Sequence, residues 1–408
     1  MTSDLSASLP RDAGLGAAYR TGDLFQVLRD GKARTRAELV ISSGLGRSAV
    51  ASRIETLMRS GLVGPAGDAA SSGGRPPTRY AFIPSARVVV AVDVGATHVT
   101  AAVTDLSGRV IAECRWEQNV ADGPEVVLAE VVARGRGLLA VVQRDVKEVA
   151  GVGIGLPGPV EHGSGTPVRP PIMPGWDGFN VARYVRESMD QSLPVLVDND
   201  VNMMAIGERA AHWPELKDLL FIKVATGIGS GIISSGQLQR GANGTAGDIG
   251  HVRVPRGDSV QCMCGNYGCL EALASGPNIA RLLREQGQNV EEGHDVLLAA
   301  ASGNRWAIQA LRQAGRDIGD VVASAINLLN PSMVVVGGSI GQSGGHLIAG
   351  IREVVYQRSP ALATSQLRIG LSKAGPLAAI LGTSRMVTEH VLSPNVIEEA
   401  FFGQMRAG

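Results

Sequence analysis

Residues 88–104 read Val88-Val89-Val90-Ala91-Val92-Asp93-Val94-Gly95-Ala96-Thr97-His98-Val99-Thr100-Ala101-Ala102-Val103-Thr104. Two near-continuous apolar runs around a glycine-containing turn fit a strand buried on both faces and its returning partner. Such a turn offers backbone N–H groups and the Thr97 hydroxyl to phosphate, while Asp93 at the strand end can hold a magnesium ion or its waters. In isolation the string reads first as an ordinary tight turn. It gains weight from Thr226-Gly227-Ile228-Gly229-Ser230-Gly231, which follows a second buried strand. Val334-Val335-Val336-Gly337-Gly338-Ser339 ends a third. Asp93, Gly95, Thr97, Gly227, Gly229, Gly231, Gly337 and Gly338 are therefore the candidate nucleotide-binding residues, because closely spaced glycines let phosphate oxygens approach the backbone.

Working outward, apolar strands at 149–155 and 194–197 complete a first α/β lobe, and strands at 219–225, 231–235 and 333–337 build a second. A repeated lobe implies a cleft. The expected boundaries are 85–200 for the first lobe, with a helix near 376–392 returning to it, and 201–375 for the second. This is the two-lobed α/β scheme of actin-like, ribonuclease H-like sugar kinases. Val197-Asp198-Asn199-Asp200-Val201-Asn202 stands at a strand end facing the cleft, where acidic and amide groups suit vicinal hydroxyls. One carboxylate there could accept a hydroxyl proton during phosphoryl transfer.

Cys262-Met263-Cys264-Gly265-Asn266-Tyr267-Gly268-Cys269-Leu270-Glu271 is the most specific local signal, and Gly250-His251 precedes it. Three thiolates and one imidazole, His251, Cys262, Cys264 and Cys269, make a closed tetrahedral set suited to a structural zinc. A Cys-x-Cys disulfide would be strained.

The chain carries 38 basic and 38 acidic residues, but residues 1–87 hold 12 against 7 and the remainder 26 against 31. The basic end is where a polyanion would bind. Beyond a flexible arm expected at 1–20, helical patterns run from Asp23 to Asp30, from the Thr35–Glu38 capping box to about Ser42, and from Arg47 to Ser60. A tight glycine turn separates the last two, as in a helix-turn-helix, and 61–63 with 79–83 read as a β-hairpin wing. A winged helix-turn-helix over 21–84 would contact DNA through Arg36, Arg47, Ser48, Ser52, Arg53 and, at the wing tip, Arg75. A tail at 393–408 is partly helical. No apolar run reaches membrane-spanning length and residues 1–16 lack a signal-peptide pattern, so a cytoplasmic location is expected.

Asp93-x-Gly95-x-Thr97, Gly155-Leu156-Pro157-Gly158-Pro159, Gly175-Trp176, Asn199-Asp200, Gly227-x-Gly229-x-Gly231, Ala246-Gly247-Asp248-Ile249-Gly250-His251 and the cysteine element occur in the order found in ROK proteins (repressors, open reading frames and kinases), and the chain resembles that family from about residue 22 to 390. Arg36-Ala37-Glu38-Leu39 and Gly74-Arg75-Pro76 resemble its repressor branch. The resemblance implies sugar contacts from Gly158, Asn199, Asp200, Asp248, His251 and Glu271, with His251 also a zinc ligand. Two positions depart from the kinases. Ala96 stands where they usually have glycine, and Asp248 where they usually have glutamate. The resulting expectation is a sugar-responsive regulator, in the main a repressor, that binds a pseudo-palindromic operator as a homodimer or homotetramer. The alternative is an ATP- and Mg²⁺-dependent hexose kinase with Asp200 as base and an added DNA-binding domain.

Overall fold

The structure is a computed structural model that describes residues 20–68, 76–342 and 345–406. Two compact units result: residues 87–389 form one, and the N-terminal segment joins the chain end from 390 in the other.

The smaller unit holds α1 (Thr21–Leu28), β1 (Arg34–Thr35), α2 (Arg36–Ser43), α3 (Arg47–Arg59), β2 (Val63–Asp68) and β3 (Thr78–Phe82). Thr35 and Glu38 exchange side-chain and backbone hydrogen bonds in the expected capping box. Gly44, at φ +71°, ends α2 in the left-handed conformation that spares glycine a Cβ clash. Val50, Ile54 and Leu57 of α3 are buried at helical spacing against Leu24, Phe25, Leu28 and Leu39, and Phe25 meets Phe82 edge-on at 5.3 Å. The strands pair antiparallel in the order β1-β3-β2. The short β1 escaped the sequence reading because two residues carry no periodicity. Arg75 lies outside the described residues.

In the larger unit, β4 (Val88–Val94), β5 (His98–Asp105), β6 (Val110–Glu117), α4 (Pro124–Val141), β7 (Val149–Leu156), the short pair β8 (Val160–Glu161) and β9 (Thr166–Pro167), α5 (Val181–Ser188) and β10 (Val195–Asn199) make the first lobe. Next come α6 (Asp200–His212), β11 (Leu219–Val224), β12 (Ile228–Ser234), β13 (Gln237–Leu238), α7 (Leu270–Ala274), α8 (Gly276–Glu285), α9 (Gly293–Ala301), α10 (Arg305–Leu329), β14 (Met333–Gly337), α11 (Gly345–Arg358), α12 (Ala361–Thr364), β15 (Arg368–Leu371) and α13 (Ala378–Val391). The sheets run β10-β7-β4-β5-β6 and β15-β14-β11-β12-β13. Each has two parallel pairings on one side of its founding strand and two antiparallel ones on the other, so the lobes repeat one topology.

Both founding strands are buried on two faces. Leu220, Ile222 and Val224 face the core shared with α8–α11, whereas Leu219 and Phe221 face α6 and α13. Glycine lets α6 and α13 touch: a Cβ on Gly207 would stand 1.9 Å from the Ala378 carbonyl oxygen, and one on Gly382 1.8 Å from that of Met203. Glu208, buried in α6, accepts from Trp213 Nε1, Ser372 Oγ and the Lys373 and Ala374 amides. Four donors offset the cost of burying that carboxylate.

The chain ends in α14 (Pro394–Arg406), in keeping with the partly helical tail expected at 393–408. Gln26 Nε2 donates to the Leu392 carbonyl at 2.7 Å, Ile397 is buried, and Gly22 is packed too closely against Pro394 to carry a Cβ. Among the described residues no helix is long and apolar enough to cross a membrane.

Candidate functional site

The ligand atoms of His251, Cys262, Cys264 and Cys269 all lie within 4.8 Å of one another. Cys262 Sγ stands 3.8 Å from His251 Nδ1, and Cys264 Sγ 3.7 Å from Cys269 Sγ. Tetrahedral ligands at ~2.3 Å from a zinc ion stand roughly 3.8 Å apart, so the donor set has the edge lengths of a four-coordinate metal site. Local backbone bonds fix the cluster. The Cys262 amide donates to the Asn266 carbonyl at 2.8 Å, Gly265 and Gly268 turn the chain at φ +90° and +78°, and Arg253 bridges to Cys269. Burial and the neighbouring thiols push the Cys269 thiol up to about 12, a cost that a bound cation would reverse.

The cluster positions the cleft residues beside it. Directly after Cys269, α7 presents Glu271, whose Oε2 accepts from the Ile228 amide at 2.9 Å. A Cβ on Gly227 would stand 2.7 Å from that oxygen, so Gly227 makes room for Glu271. His251 ends the short 3-10 turn Ile249–His251, immediately after exposed Asp248.

Across the cleft, Asn199 caps α6 by accepting from the Val201 and Asn202 amides, and its Nδ2 donates to the Gly158 carbonyl at 3.0 Å. Asp198 beside it is buried and held by Arg240 Nε at 2.7 Å and Asn202 Nδ2 at 2.9 Å. Asp200 opens α6 almost fully buried and pairs with Lys223 of β11. Burial, and secondarily the Asp200 charge, push the Asp93 carboxyl up to about 7. Burial holds His98 down at about 4.

The structure thus gathers Asp93, Asp200 and Glu271 around Lys223, and joins Asn199 to Gly158. It does not gather all of the candidate glycines into turns. Gly95 lies in the β4–β5 turn with exposed Thr97, and Gly227 in the β11–β12 turn. Gly229 and Gly231 lie inside β12, paired with Lys223 and Phe221, because the strand starts at Ile228 rather than the expected 231. A Cβ on Gly231 would stand 2.5 Å from the Ala205 Cβ, so these glycines admit α6. Gly337 ends β14 against the Phe221 ring, and Gly338, at φ +86°, lies against the Val224 backbone.

In the smaller unit, Arg47, Ser48 and Ser52 are exposed on α3. Arg53 turns back to the Ala49 carbonyl, and Arg36 lies over the Tyr80 ring and 3.7 Å from Glu55. Sequence reasoning missed Lys223 and Arg240. A lysine inside the apolar run Leu219–Val224 was the available signal for the first.

The chain is 30% identical to the xylose repressor of Caldicellulosiruptor bescii over 391 residues, covering 91% of this chain and 95% of that protein. It is 30% identical to a glucokinase of Halalkalibacterium halodurans, covering 66% of this chain and 85% of the relative. A crystal structure described as a ROK family transcriptional regulator, a homologue of the E. coli MLC protein, superposes with a TM-score of 0.78 at 24% identity, over 92% of this chain and 96% of its own. The two-lobed fold is the same. The ROK family model matches residues 89–390, which takes in both lobes and the cysteine cluster, and the chain belongs to the ROK family.

Proposed function

We propose that this ROK protein is a sugar-responsive, DNA-binding transcriptional repressor. One observation carries the reading: the similarity to a repressor covers 91% of the chain but that to a glucokinase 66%, and a unit of three helices and a small antiparallel sheet precedes the family match at residue 89. That unit acts as a winged helix-turn-helix. Its α3 enters the major groove with Arg47, Ser48 and Ser52 outward, Arg36 and Arg53 steady it, and Arg75, outside the described residues, is a further DNA contact.

In the larger unit a sugar binds between the lobes through Gly158, Asn199, Asp200, Asp248, His251 and Glu271. A structural zinc held by His251, Cys262, Cys264 and Cys269 would fix the loop that presents two of these residues; all four positions are protein donors, leaving none open for catalysis. Sugar shifts the population toward one interlobe angle, which changes the spacing of recognition helices in a homodimer or homotetramer and lowers affinity for a pseudo-palindromic operator. Such a protein works in the cytoplasm.

The test is anisotropy of labelled DNA from upstream of the protein's own gene, titrated with D-xylose, D-glucose and further sugars. Release by at least one sugar is expected; binding unaffected by any of them overturns the reading. The similarity to a glucokinase favours a second reading, phosphoryl transfer with ATP and Mg²⁺ at Asp93, Thr97 and the glycine turns. Sugar phosphate formed by the wild type but not by Asp200→Asn would establish it.

A further inference from the structure

Lys223 is the one charged residue of β11, and the register places Gly229 and Gly337 directly beside it on both neighbouring strands. With no flanking side chain, its stem emerges on the face that meets α6, where Asp200 opens the helix. The two groups form an ion pair with side-chain exposures of 19% for Lys223 and 4% for Asp200. Asp200 Oδ2 takes one of the three ammonium donors. Among the described residues the other two donors have no acceptor, and Asp200 Oδ1 has no donor. Half-buried donors and a free carboxylate oxygen side by side in a cleft are costly unless a ligand or water pairs them.

A sugar hydroxyl both donates and accepts, so a vicinal diol can satisfy this set. The surrounding charge selects the ligand further. Glu271, Asp200 and Asp93 are acidic, burial pushing the Asp93 carboxyl up to about 7, and Lys223 supplies a cation among them. A neutral sugar fits; an anionic one is repelled.

We propose that Lys223 reads the sugar: its open donors and the open oxygen of Asp200 bind adjacent hydroxyls of a neutral sugar, and the ion pair withholds Asp200 from acting as a phosphoryl-transfer base. The cleft then binds sugar without nucleotide and without turnover. Asp200, one of the carboxylates a magnesium–phosphate group would need, is already paired with an internal cation. This assignment rests on the sensor reading above and adds a ligand-contacting residue and a ligand charge class to it.

Calorimetry of the full-length, metal-loaded protein tests it, with D-xylose, D-glucose and D-glucuronate as probes and no nucleotide present. A neutral sugar is expected to bind, D-glucuronate to bind more weakly, and K223M to lose tenfold or more in affinity for that sugar. Should K223M melt early, K223Q, which keeps a donor and loses the charge, is expected to lose affinity as well. Unchanged affinity in the folded variants overturns the assignment and leaves the sensor reading standing. Tighter binding of D-glucuronate overturns the charge class. With ATP and Mg²⁺ added, sugar phosphate that is formed by the wild type and lost in D200N overturns the withholding of Asp200. No binding of either neutral sugar, together with no sugar-dependent operator release, fails the sensor reading itself and this assignment with it.

Discussion

Asn199 Nδ2 donates to the Gly158 carbonyl oxygen at 3.0 Å while Asn199 Oδ1 caps α6, so one carboxamide ties the loop after β7 to the helix that begins with Asp200. Gly158 sits at φ +125°, which only glycine adopts without strain. Asn199→Asp keeps the cap oxygen but loses the donor to Gly158, and is expected to weaken sugar binding with little change in stability. Asn199→Ala loses both, and should also cost about 1 kcal/mol in a urea melt. Equal sugar affinity for wild type and Asn199→Asp would show that the tether does not position the site.

The His251 and cysteine cluster gives a composition test. Purified protein is expected to hold one zinc ion per chain by elemental analysis, and Cys264→Ser or Cys269→Ser to lose it along with several degrees of melting temperature. Cys114, half-buried on β6 and outside the cluster, is the control: Cys114→Ser should keep the metal. A zinc-free protein that melts normally sinks the structural role.

Gly231 separates packing from phosphate binding. Its Cβ would stand 2.5 Å from that of Ala205 and 2.8 Å from the Val201 carbonyl oxygen. Gly231→Ala should therefore destabilise the larger unit by roughly 1–3 kcal/mol, read as a shift in denaturant midpoint. A variant that unfolds like the wild type would return this glycine to the list of ligand-facing positions.

Much of this arrangement is legible in the sequence, for identifiable reasons. Apolar runs broken by glycine turns locate both lobes because strands buried on two faces leave few polar positions. The cysteine element is legible because its ligands are close in sequence. Lys223 stands out as a charge in an apolar run but its role is not legible, since that depends on the register that sets it between Gly229 and Gly337 and on the packing of α6 against β11 and β12, which brings Asp200 to it. The same is true of α14, whose partner on α1 is 376 positions away at the bond from the Gly22 amide to Glu398 Oε2. Glycine spacing misplaces Gly229 and Gly231, because a strand that must admit a helix uses the same residue as a loop that must admit phosphate.

Asp93 ties stability to pH with a definite sign. Burial and Asp200 raise its folded carboxyl to about 7 from an ordinary value of 3.8. The folded state therefore binds more protons than the unfolded chain between those values, and the Asp93 contribution to stability falls as pH rises from about 4 to 7. Denaturant midpoints at pH 5 and 8 should differ more for the wild type than for Asp93→Asn, with the variant gaining most at pH 8. Parallel pH profiles for the two proteins would contradict the raised value.

Arg47 and Arg36 make opposite predictions for DNA. Arg47 is exposed at the first turn of α3 with no partner among the described residues. Arg36 is committed to the Tyr80 ring and Glu55, an arrangement that braces α2 against α3 and β3. Arg47→Ala should weaken operator and non-specific DNA alike, lower the salt slope by about one unit, and leave the melting temperature unchanged. Arg36→Ala should lower the melting temperature of the smaller unit and weaken DNA binding with the salt slope kept, because it disturbs the placement of α3 without removing a phosphate contact. If Arg36→Ala instead reduces the slope as Arg47→Ala does, Arg36 leaves Glu55 in the complex and meets the backbone directly, and the pair in the free protein is an intramolecular stand-in for phosphate.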